Sequence, residues 1–451
     1  MSAADIDASG EKPAKFYWLP PGLRPPVVMK VRQERIFLLV GMAALFAGYD
    51  LNIFGLALPQ IQAALHIPEN QTGLTVVYFR FAAVGALGLA YTADLVGRRR
   101  LLLITILGQA LATLATAFTQ TADQFILAQF VTRLFGYAEE IVCVVVIVEE
   151  MDEHSRGWAT GTFGALDSTG AGLASLVFAF VTMLPYGWRA IYVIGALPML
   201  LLAYLRRRLP ETKRFEVRHD QVEALRSRVS VALDAARRLV REYPGRIALI
   251  LTAVAAYGFS IGSATVLMGK YLQQTLHYAP WQVTVLYVPG GFVALGLNIV
   301  AGRFSDRLGR RPVLTVTVLT MAVAFAVFFS GVNGWIVPVM WIVALFAFFS
   351  TDALLSGYAI ELVPTAYRAT MSGLRYLTAI LAGALSLFLE GYFYDWLGAH
   401  GPAISLSLAA APLVLVAIWF LPEPAGKTLE EMSGGPAPVP LPILRQAQDE
   451  V

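Results

Sequence analysis

The sequence predicts an all-α membrane protein in which twelve transmembrane helices form two six-helix, pseudo-symmetric halves. Of the 451 residues, 57 % are hydrophobic and only 14 % are charged, whereas soluble domains usually have about 25 % charged residues. Twelve apolar runs approach the length of roughly 20 residues that a helix needs to cross a bilayer. Motifs of the first half also recur in the second half at one constant spacing, which indicates an internal repeat.

The predicted spans follow one another with a single long interruption. They are 36–58, 73–93, 101–119, 124–148, 157–184, 190–205, 247–268, 282–304, 312–331, 335–361, 369–394 and 403–420. The interruption lies after the sixth span and divides the chain into six spans and six spans. The domains we expect are an N-terminal tail over 1–35, a six-helix bundle over 36–205, a linker over 206–246, a second bundle over 247–420 and a C-terminal tail over 421–451.

The basic residues predict the orientation of the chain. With the N-terminus in the cytoplasm, 29 of the 34 Lys and Arg residues lie on the cytoplasmic side, and cytoplasmic loops carry an excess of such residues. We therefore expect both termini and the 206–246 linker to be cytoplasmic. Apolar residues recur in this linker at steps of three and four, which predicts an amphipathic helix. The expected role of this helix is to connect the two halves on the cytoplasmic side. The alternative is a regulatory or partner-binding role.

Three separate motifs repeat with the same offset of 212 positions. An Asp-x-x-Gly-Arg-Arg loop follows the second and the eighth span, a Glu and an Arg follow the fourth and the tenth, and a Leu-Pro-Glu follows the sixth and the twelfth. The first two give the pairs Asp94 and Asp306, Gly97 and Gly309, Arg98 and Arg310, Arg99 and Arg311, Glu149 and Glu361, and Arg156 and Arg368. A constant offset indicates parallel repeats about an axis along the membrane normal.

The repeated loops combine an acid, a glycine turn and two arginines at the end of a helix. We expect ion pairs between helices at this point, in which Glu149 and Glu361 accept the arginines and hold the cytoplasmic mouth closed. The simpler alternative is that the basic loops only fix orientation. Orientation needs no aspartate, so the sequence favours a gate.

Ionisable residues inside the predicted spans mark a candidate functional site. Each costs at least roughly 2.5–3.5 kcal/mol at the bilayer centre and is therefore a functional hypothesis. Asp50 lies in the first span, and Arg133 and Glu140 share one face of the fourth. Glu140 is also 212 positions from Asp352. The other such residues are Arg80, Glu139, Asp167, Arg375 and Glu390.

These motifs resemble the major facilitator superfamily over about residues 36–431. The Asp-x-x-Gly-Arg-Arg loops are similar to its signature loop, and the Pro-Glu tails look like those of its sugar-porter and metabolite–proton symporter branches. The resemblance implies that spans 1, 4, 7 and 10 line a central cavity. Gly48-Tyr49-Asp50 is similar to a motif of proton symporters for aromatic and sugar acids. This similarity implies that Asp50 and either Glu140 or Glu139 handle the proton.

We therefore expect a proton-coupled secondary active transporter of the inner or plasma membrane, not an enzyme. It would import a small organic anion of the aromatic-acid or sugar-acid class by alternating access. Arg133, Asp167, Tyr257 and Tyr358 are the expected substrate-binding residues. Further candidates near the outer end of span 7 are Lys270, Gln273 and Gln274. A proton-coupled sugar or polyol symporter and a non-transporting membrane sensor are the alternatives.

The expected partners are a small-molecule substrate, protons and the lipid bilayer, with no nucleic acid, and we expect a monomer. No cofactor or metal site is expected, because the chain has a single cysteine, Cys143, and its histidines are isolated. We expect all five histidines to lie in loops: His66, His154, His219, His277 and His400.

Overall fold

The computed structural model describes residues 16, 24–25, 28–92, 97–151, 153–207, 234, 236–332, 334–364 and 367–423. Over these residues the chain is helical and has no strand. The helices of the first half are α1 (Val31–Leu65), α2 (Thr72–Arg80), α3 (Ala82–Tyr91), α4 (Arg98–Thr116), α5 (Ala122–Glu150), α6 (Glu153–Phe178) and α7 (Trp188–Arg206). Those of the second half are α8 (Pro244–Gln274), α9 (Pro280–Leu308), α10 (Arg310–Phe328), α11 (Ile336–Glu361), α12 (Arg368–Leu397), α13 (His400–Leu408) and α14 (Ala411–Phe420).

Each predicted span coincides with one helix or with two successive helices. Within the described residues, nine helical segments are long and apolar enough to cross a membrane. The remaining three predicted spans are the helices α5, α6 and α9, which have 26 to 29 residues. The prediction of an all-α membrane fold is confirmed.

Two of the predicted spans are broken helices. The second span is divided at Phe81, where α2 ends and α3 begins, and the 3-10 turn Glu69–Gln71 precedes it. The twelfth span is divided between Leu408 and Ala411, and a proline occupies the first turn of α14. Proline is tolerated there because the first N–H groups of a helix have no partner within the helix.

The repeated glycines form the same turn in both halves. Gly97 has a φ of 97° and Gly309 has a φ of 100°, and α4 and α10 each begin at the next residue. A side chain would be strained at such angles, which glycine adopts freely. The tight turn predicted before each pair of arginines is therefore present twice.

The helices divide into two compact units. The first lies within Met1–Leu225, Thr265–Pro289 and Leu387–His400, and the second within Arg226–Ala264, Gly290–Ser386 and Gly401–Val451. The first unit includes the C-terminal ends of α8 and α12. The domain boundaries expected from the repeat stay a prediction.

Close contact between α1 and α6 positions the acids of the first unit. A Cβ atom at Gly48 would lie 2.0 Å from the backbone oxygen of Asp167, so only glycine fits there. Small residues allow helix backbones to approach in this way in membrane proteins. Gly48 therefore brings the Asp50 region of α1 beside Asp167.

The second unit also contains a close helix pair, formed by α8 and α12. The backbone N–H of Ser263 donates to Ser386 Oγ at 3.2 Å, and the two hydroxyl groups are 3.1 Å apart. Both serines are buried. Small polar side chains thus bond the two helices without needing water.

Candidate functional site

A small cavity lies inside the first unit, between α1, α4 and α5. Its lining combines apolar side chains with acidic, basic and amide groups. The lining residues are Ala47, Asp50, Leu51, Gln109, Thr132, Arg133, Gly136, Tyr137 and Glu140. Three of the ionisable residues singled out in the sequence therefore meet at one place.

Asp50 is held on the wall of this cavity by its neighbours. Its side chain is buried, and its carboxylate accepts a hydrogen bond from Thr113 Oγ1 of α4 at 3.2 Å. The preceding residue, Tyr49, is also buried and donates its hydroxyl to the backbone oxygen of Ile191 at 3.0 Å. This bond ties α1 to α7 and fixes the rotation of α1 that directs Asp50 toward α4.

Arg133 supplies a buried positive charge to the cavity. Its Nη2 donates to Gln129 Oε1 at 3.4 Å, and its guanidinium carbon lies 5.9 Å from the centre of the Phe79 ring. It also attracts the Asp50 carboxylate electrostatically. In the described part of the chain, no direct ion pair joins Arg133 to Asp50 or to Glu140. The guanidinium is therefore not neutralised by direct contact with an acid.

Glu139 and Glu140 face different surroundings. Glu140 lines the cavity and is exposed. Glu139 is buried and forms an ion pair with Arg206, while the Thr105 hydroxyl donates to its other oxygen. The geometry thus favours Glu140 over Glu139 as the carboxyl group that reaches the cavity.

Asp167 lies next to this group of charges on α6. It repels Glu140 electrostatically, so the two carboxylates are near neighbours, and its side chain is half-buried. Asp167 is not among the residues that line the cavity. A role in binding substrate stays a prediction for this residue.

The two candidate tyrosines belong to the second unit, and both hydroxyl groups have backbone partners. Tyr257 is buried and donates to the backbone oxygen of Phe348 at 3.0 Å. Tyr358 is also buried and donates to the backbone oxygen of Pro422 at 3.0 Å. Contact of either tyrosine with substrate stays a prediction.

An ion pair joins two further candidates of the second unit. Arg375 Nη1 lies 3.2 Å from Asp352 Oδ1. The Asp352 side chain is 44 % exposed, whereas that of Arg375 is 13 % exposed. Asp352 occupies the repeat position of Glu140 but, unlike Glu140, it has a direct cationic partner.

The same ion pair forms beside the glycine turn in each unit. Arg98 Nη2 lies 3.1 Å from Glu149 Oε1 in the first unit. Arg310 contacts Glu361 through two nitrogen atoms in the second unit, at 2.8 and 3.1 Å. Both pairs join residues 51 positions apart. The arginines and glutamates predicted to pair are therefore in contact.

Glu423 completes the ion-pair cluster of the second unit. Its carboxylate accepts hydrogen bonds from the backbone N–H groups of Arg310 and Arg311, at 2.8 and 2.9 Å. A carboxylate at a helix N-terminus satisfies free N–H groups and interacts favourably with the helix dipole. Tyr358 contacts Arg311 in the same cluster, which favours a structural role there over contact with substrate.

Other predicted gate residues have different partners or lie outside the description. Arg99 donates to the backbone oxygen of Arg207 at 2.5 Å, and Nε and Nη2 of Arg368 have no hydrogen-bond partner in the described residues. Asp94 lies outside the described residues, as do the side chains of Arg156 and Asp306. Their part in the gate stays a prediction.

Sequence reasoning missed Arg206 and misplaced His400. The predicted linker begins at Arg206, yet this residue is buried at the end of α7 and donates to the backbone oxygens of Leu102 and Leu39. The expectation of a loop is wrong for His154, which lies in α6, and for His400, which begins α13 and faces carboxylates. Both partnerships join residues far apart in sequence, so no local pattern marks them.

A family model settles which class of protein has this arrangement. The model for the Major Facilitator Superfamily matches residues 40–386 and, again, residues 292–447. The chain belongs to the Major Facilitator Superfamily. As a superfamily member it is a transporter and not an enzyme, and it is a multi-pass protein of the inner membrane.

Known members of the superfamily are similar to this chain over most of their length. A probable 4-methylmuconolactone transporter of Cupriavidus pinatubonensis is 25 % identical over 405 residues, which are 88 % of this chain and 92 % of the relative. The cis,cis-muconate transport protein of Acinetobacter baylyi is 25 % identical over 398 residues, or 85 % and 91 %. The crystal structure of a D-xylose–proton symporter has a TM-score of 0.72 and 18 % sequence identity to this chain. The match covers 88 % of this chain and 99 % of the symporter.

Proposed function

We propose that this transporter imports a small organic anion together with protons by alternating access. The observation that carries the proposal is the cavity in which Arg133 lies with Asp50 and Glu140. A carboxylate substrate would find a guanidinium there that has no direct ionic partner among the described residues. Arginine suits this role because its planar fork forms two parallel hydrogen bonds with a carboxylate.

The charges of the cavity link substrate binding to protonation. With both acids ionised, the three side chains carry a net charge of −1, which repels an anion. One proton makes the set neutral and two make it positive, so each proton taken up by Asp50 or Glu140 favours entry of a carboxylate. Because coupling between two ligands is reciprocal, the bound anion also favours retention of the proton.

The relatives support an organic anion over a neutral sugar. One relative is named a cis,cis-muconate transport protein, and muconate is a carboxylate. The sugar symporter shares the fold at 18 % identity, which carries no information on the substrate. The buried guanidinium also favours an anion over a neutral polyol, because only the anion supplies a negative charge to pair with it.

The ion pairs beside the glycine turns supply the gate in this proposal. Arg98 with Glu149 and Arg310 with Glu361 join helices in their own units, at the end where the predicted orientation places the cytoplasm. Opening this end requires the helices to move, which strains or breaks these pairs. Their duplication fits a cycle in which both repeats rearrange.

Uptake into proteoliposomes tests the proposal. Purified protein is reconstituted with an outside pH lower than the inside pH, and accumulation of radiolabelled benzoate, muconate and xylose is measured. We expect at least one carboxylate to accumulate above its level in protein-free liposomes, and this excess should collapse when a protonophore removes the gradient. Accumulation of xylose alone would overturn the anion assignment, and carboxylate uptake that ignores the protonophore would overturn proton coupling.

A further inference from the structure

Four ionisable side chains meet at the end of the first unit remote from Gly97. Glu69 lies in the 3-10 turn before α2, Lys270 in α8 and Glu390 in α12, and His400 begins α13. His400 Nδ1 lies 2.6 Å from Glu390 Oε1, and its Nε2 lies 3.0 Å from Glu69 Oε2. Lys270 forms an ion pair with the same oxygen of Glu69. We call these four residues the His400 cluster.

The contacts of the ring indicate the protonated form of His400. A neutral imidazole has one N–H group, whereas an imidazolium has two. Both ring nitrogens face a carboxylate oxygen, so only the protonated ring donates to Glu390 and to Glu69 together. Its positive charge also balances the cluster, because two glutamates and Lys270 alone leave a net charge of −1.

Burial makes this balance important. The side chains of Lys270 and Glu390 are 1 % and 0 % exposed. Buried charges are tolerated only when they are paired and hydrogen-bonded, and removing one partner of a buried pair is strongly destabilising. Loss of the His400 proton would leave Glu390 facing a ring that no longer carries a charge.

Further groups surround the cluster on the elements packed against it. The Tyr394 ring stacks on the His400 ring with 4.3 Å between centroids. Thr72 Oγ1 lies 3.2 Å from Lys270 Nζ, and Gln62 of α1 donates a hydrogen bond to Glu69. Asp395 is a further ionisable neighbour, and it accepts a hydrogen bond from Asn70 at 3.2 Å. His400 is therefore the group here whose charge changes near neutral pH.

The cluster lies at a tight joint between helices. A Cβ atom at Gly73 of α2 would lie 2.2 Å from the backbone oxygen of Leu387 in α12. One at Gly391 would lie 2.2 Å from the backbone oxygen of Asn70. The backbones thus touch on both sides of Glu390, and the His400 ring ties the same segments together through charged groups.

We propose that His400 is a second proton-binding site of this transporter, whose protonated ring locks the joint between the Glu69 turn and the end of α12. Release of this proton removes the bridge between Glu69 and Glu390 and lets the joint separate. The site shares no residue with the Asp50 cavity, and it stands whether or not transport is driven by protons.

Backbone amide hydrogen exchange measures how strongly the protonated ring holds these segments together, without any transport assay. Full-length protein in lipid nanodiscs is labelled with deuterium at pH 5.5 and at pH 9, and peptides covering 67–76 and 265–276 are analysed. His400→Gln is permanently neutral, and His400→Arg is permanently charged. At each pH we expect exchange about tenfold slower in His400→Arg than in His400→Gln, which corresponds to a difference of about 1.4 kcal/mol.

Wild-type protein supplies the decisive comparison. It should match His400→Arg at pH 5.5 and His400→Gln at pH 9, and comparison at one pH removes the intrinsic effect of pH on exchange. Glu390→Gln keeps the ring but removes one acceptor, so it should lose the protection at pH 5.5 even if an arginine does not fit. His277→Gln changes an exposed histidine and should behave as wild type.

Two results would overturn the proposal. One is equal exchange of wild type and both His400 variants at both pH values. The other is a wild-type pH response that persists in His400→Gln. Asp50→Asn should leave the amide hydrogen exchange of these peptides unchanged. Failure of the Asp50 mechanism would therefore be seen in the uptake assay, and failure of the His400 site in the hydrogen-exchange measurement.

Discussion

Glu139 and Glu140 are adjacent in sequence, yet one carboxylate pairs with buried Arg206 and the other opens into the cavity. Successive residues of a helix point about 100° apart, so two neighbours can serve different surfaces. The interior acid holds α5 to α7. The cavity acid remains available for protonation.

The two glutamates should therefore give opposite phenotypes. Glu139→Gln leaves the Arg206 guanidinium buried without its counter-charge, which costs about 3–5 kcal/mol. We expect a clear loss of thermal stability in detergent for this variant. Glu140→Gln should keep the wild-type melting temperature and lose gradient-driven uptake. Equal melting temperatures of both variants would contradict the assignment of the buried pair.

Asp50→Asn should separate accumulation from exchange. The amide resembles the protonated acid, so substrate should still exchange across the membrane, while uphill uptake driven by a pH gradient should be abolished. Counterflow and gradient-driven uptake in the same proteoliposomes measure the two activities. Asp123→Asn alters an exposed acid outside the cavity and is the matched control. Accumulation by Asp50→Asn with unchanged pH dependence would place the proton site elsewhere.

Arg133→Ala should abolish binding of the carboxylate substrate. Two hydrogen bonds to a charged group contribute about 1.5–3 kcal/mol each, so affinity should fall at least about a hundredfold. Arg133→Lys should restore little, because a point charge does not form the two parallel bonds. Calorimetric titration measures the affinity. Arg237→Ala removes an exposed arginine and should bind normally, whereas tight binding by Arg133→Ala would remove Arg133 from the site.

The ion pairs at the glycine turns should affect the transport cycle and not the binding site. Arg98→Ala or Arg310→Ala should slow transport about tenfold, which corresponds to about 1.4 kcal/mol, while the substrate affinity stays within twofold of wild type. Arg100→Ala removes an exposed charge from the first turn of α4 and should have little effect. A loss of affinity with an intact cycle would contradict a gating role.

The 206–246 linker should be cytoplasmic. Ser227, which lies outside the described residues, is replaced by cysteine in a Cys143→Ser background. An impermeant maleimide added to intact cells should not label this cysteine, although it should do so after the membrane is permeabilised. Rapid labelling of intact cells would reverse the predicted orientation.

Much of the fold could be predicted because its signals are local. Apolar runs of bilayer length mark the spans, and a fixed offset of 212 marks the repeat. The repeated motifs in turn predict the turns at Gly97 and Gly309 and the pairing of Arg98 with Glu149. The break of the second span at Phe81 has no such signal, because neither proline nor glycine occupies that position.

The candidate site could be predicted only in part. The spacing of Arg133 and Glu140 placed both on one helix face, and both line the cavity. Spacing on α5 alone does not reveal that α7 brings Arg206 to Glu139, since that contact depends on packing across 67 positions. His400 and Glu69 are 331 positions apart, so their contact is likewise invisible to any local pattern.

The thiol of Cys143 is fully buried beside Glu139 and Arg206, and it is the only cysteine in the chain. A thiol reagent reaches such a group only when the surrounding helices open transiently. The alkylation rate of unmodified protein therefore reports how often this part of the bundle comes apart. Detergents, lipids and variants can be ranked by that rate without introducing any label.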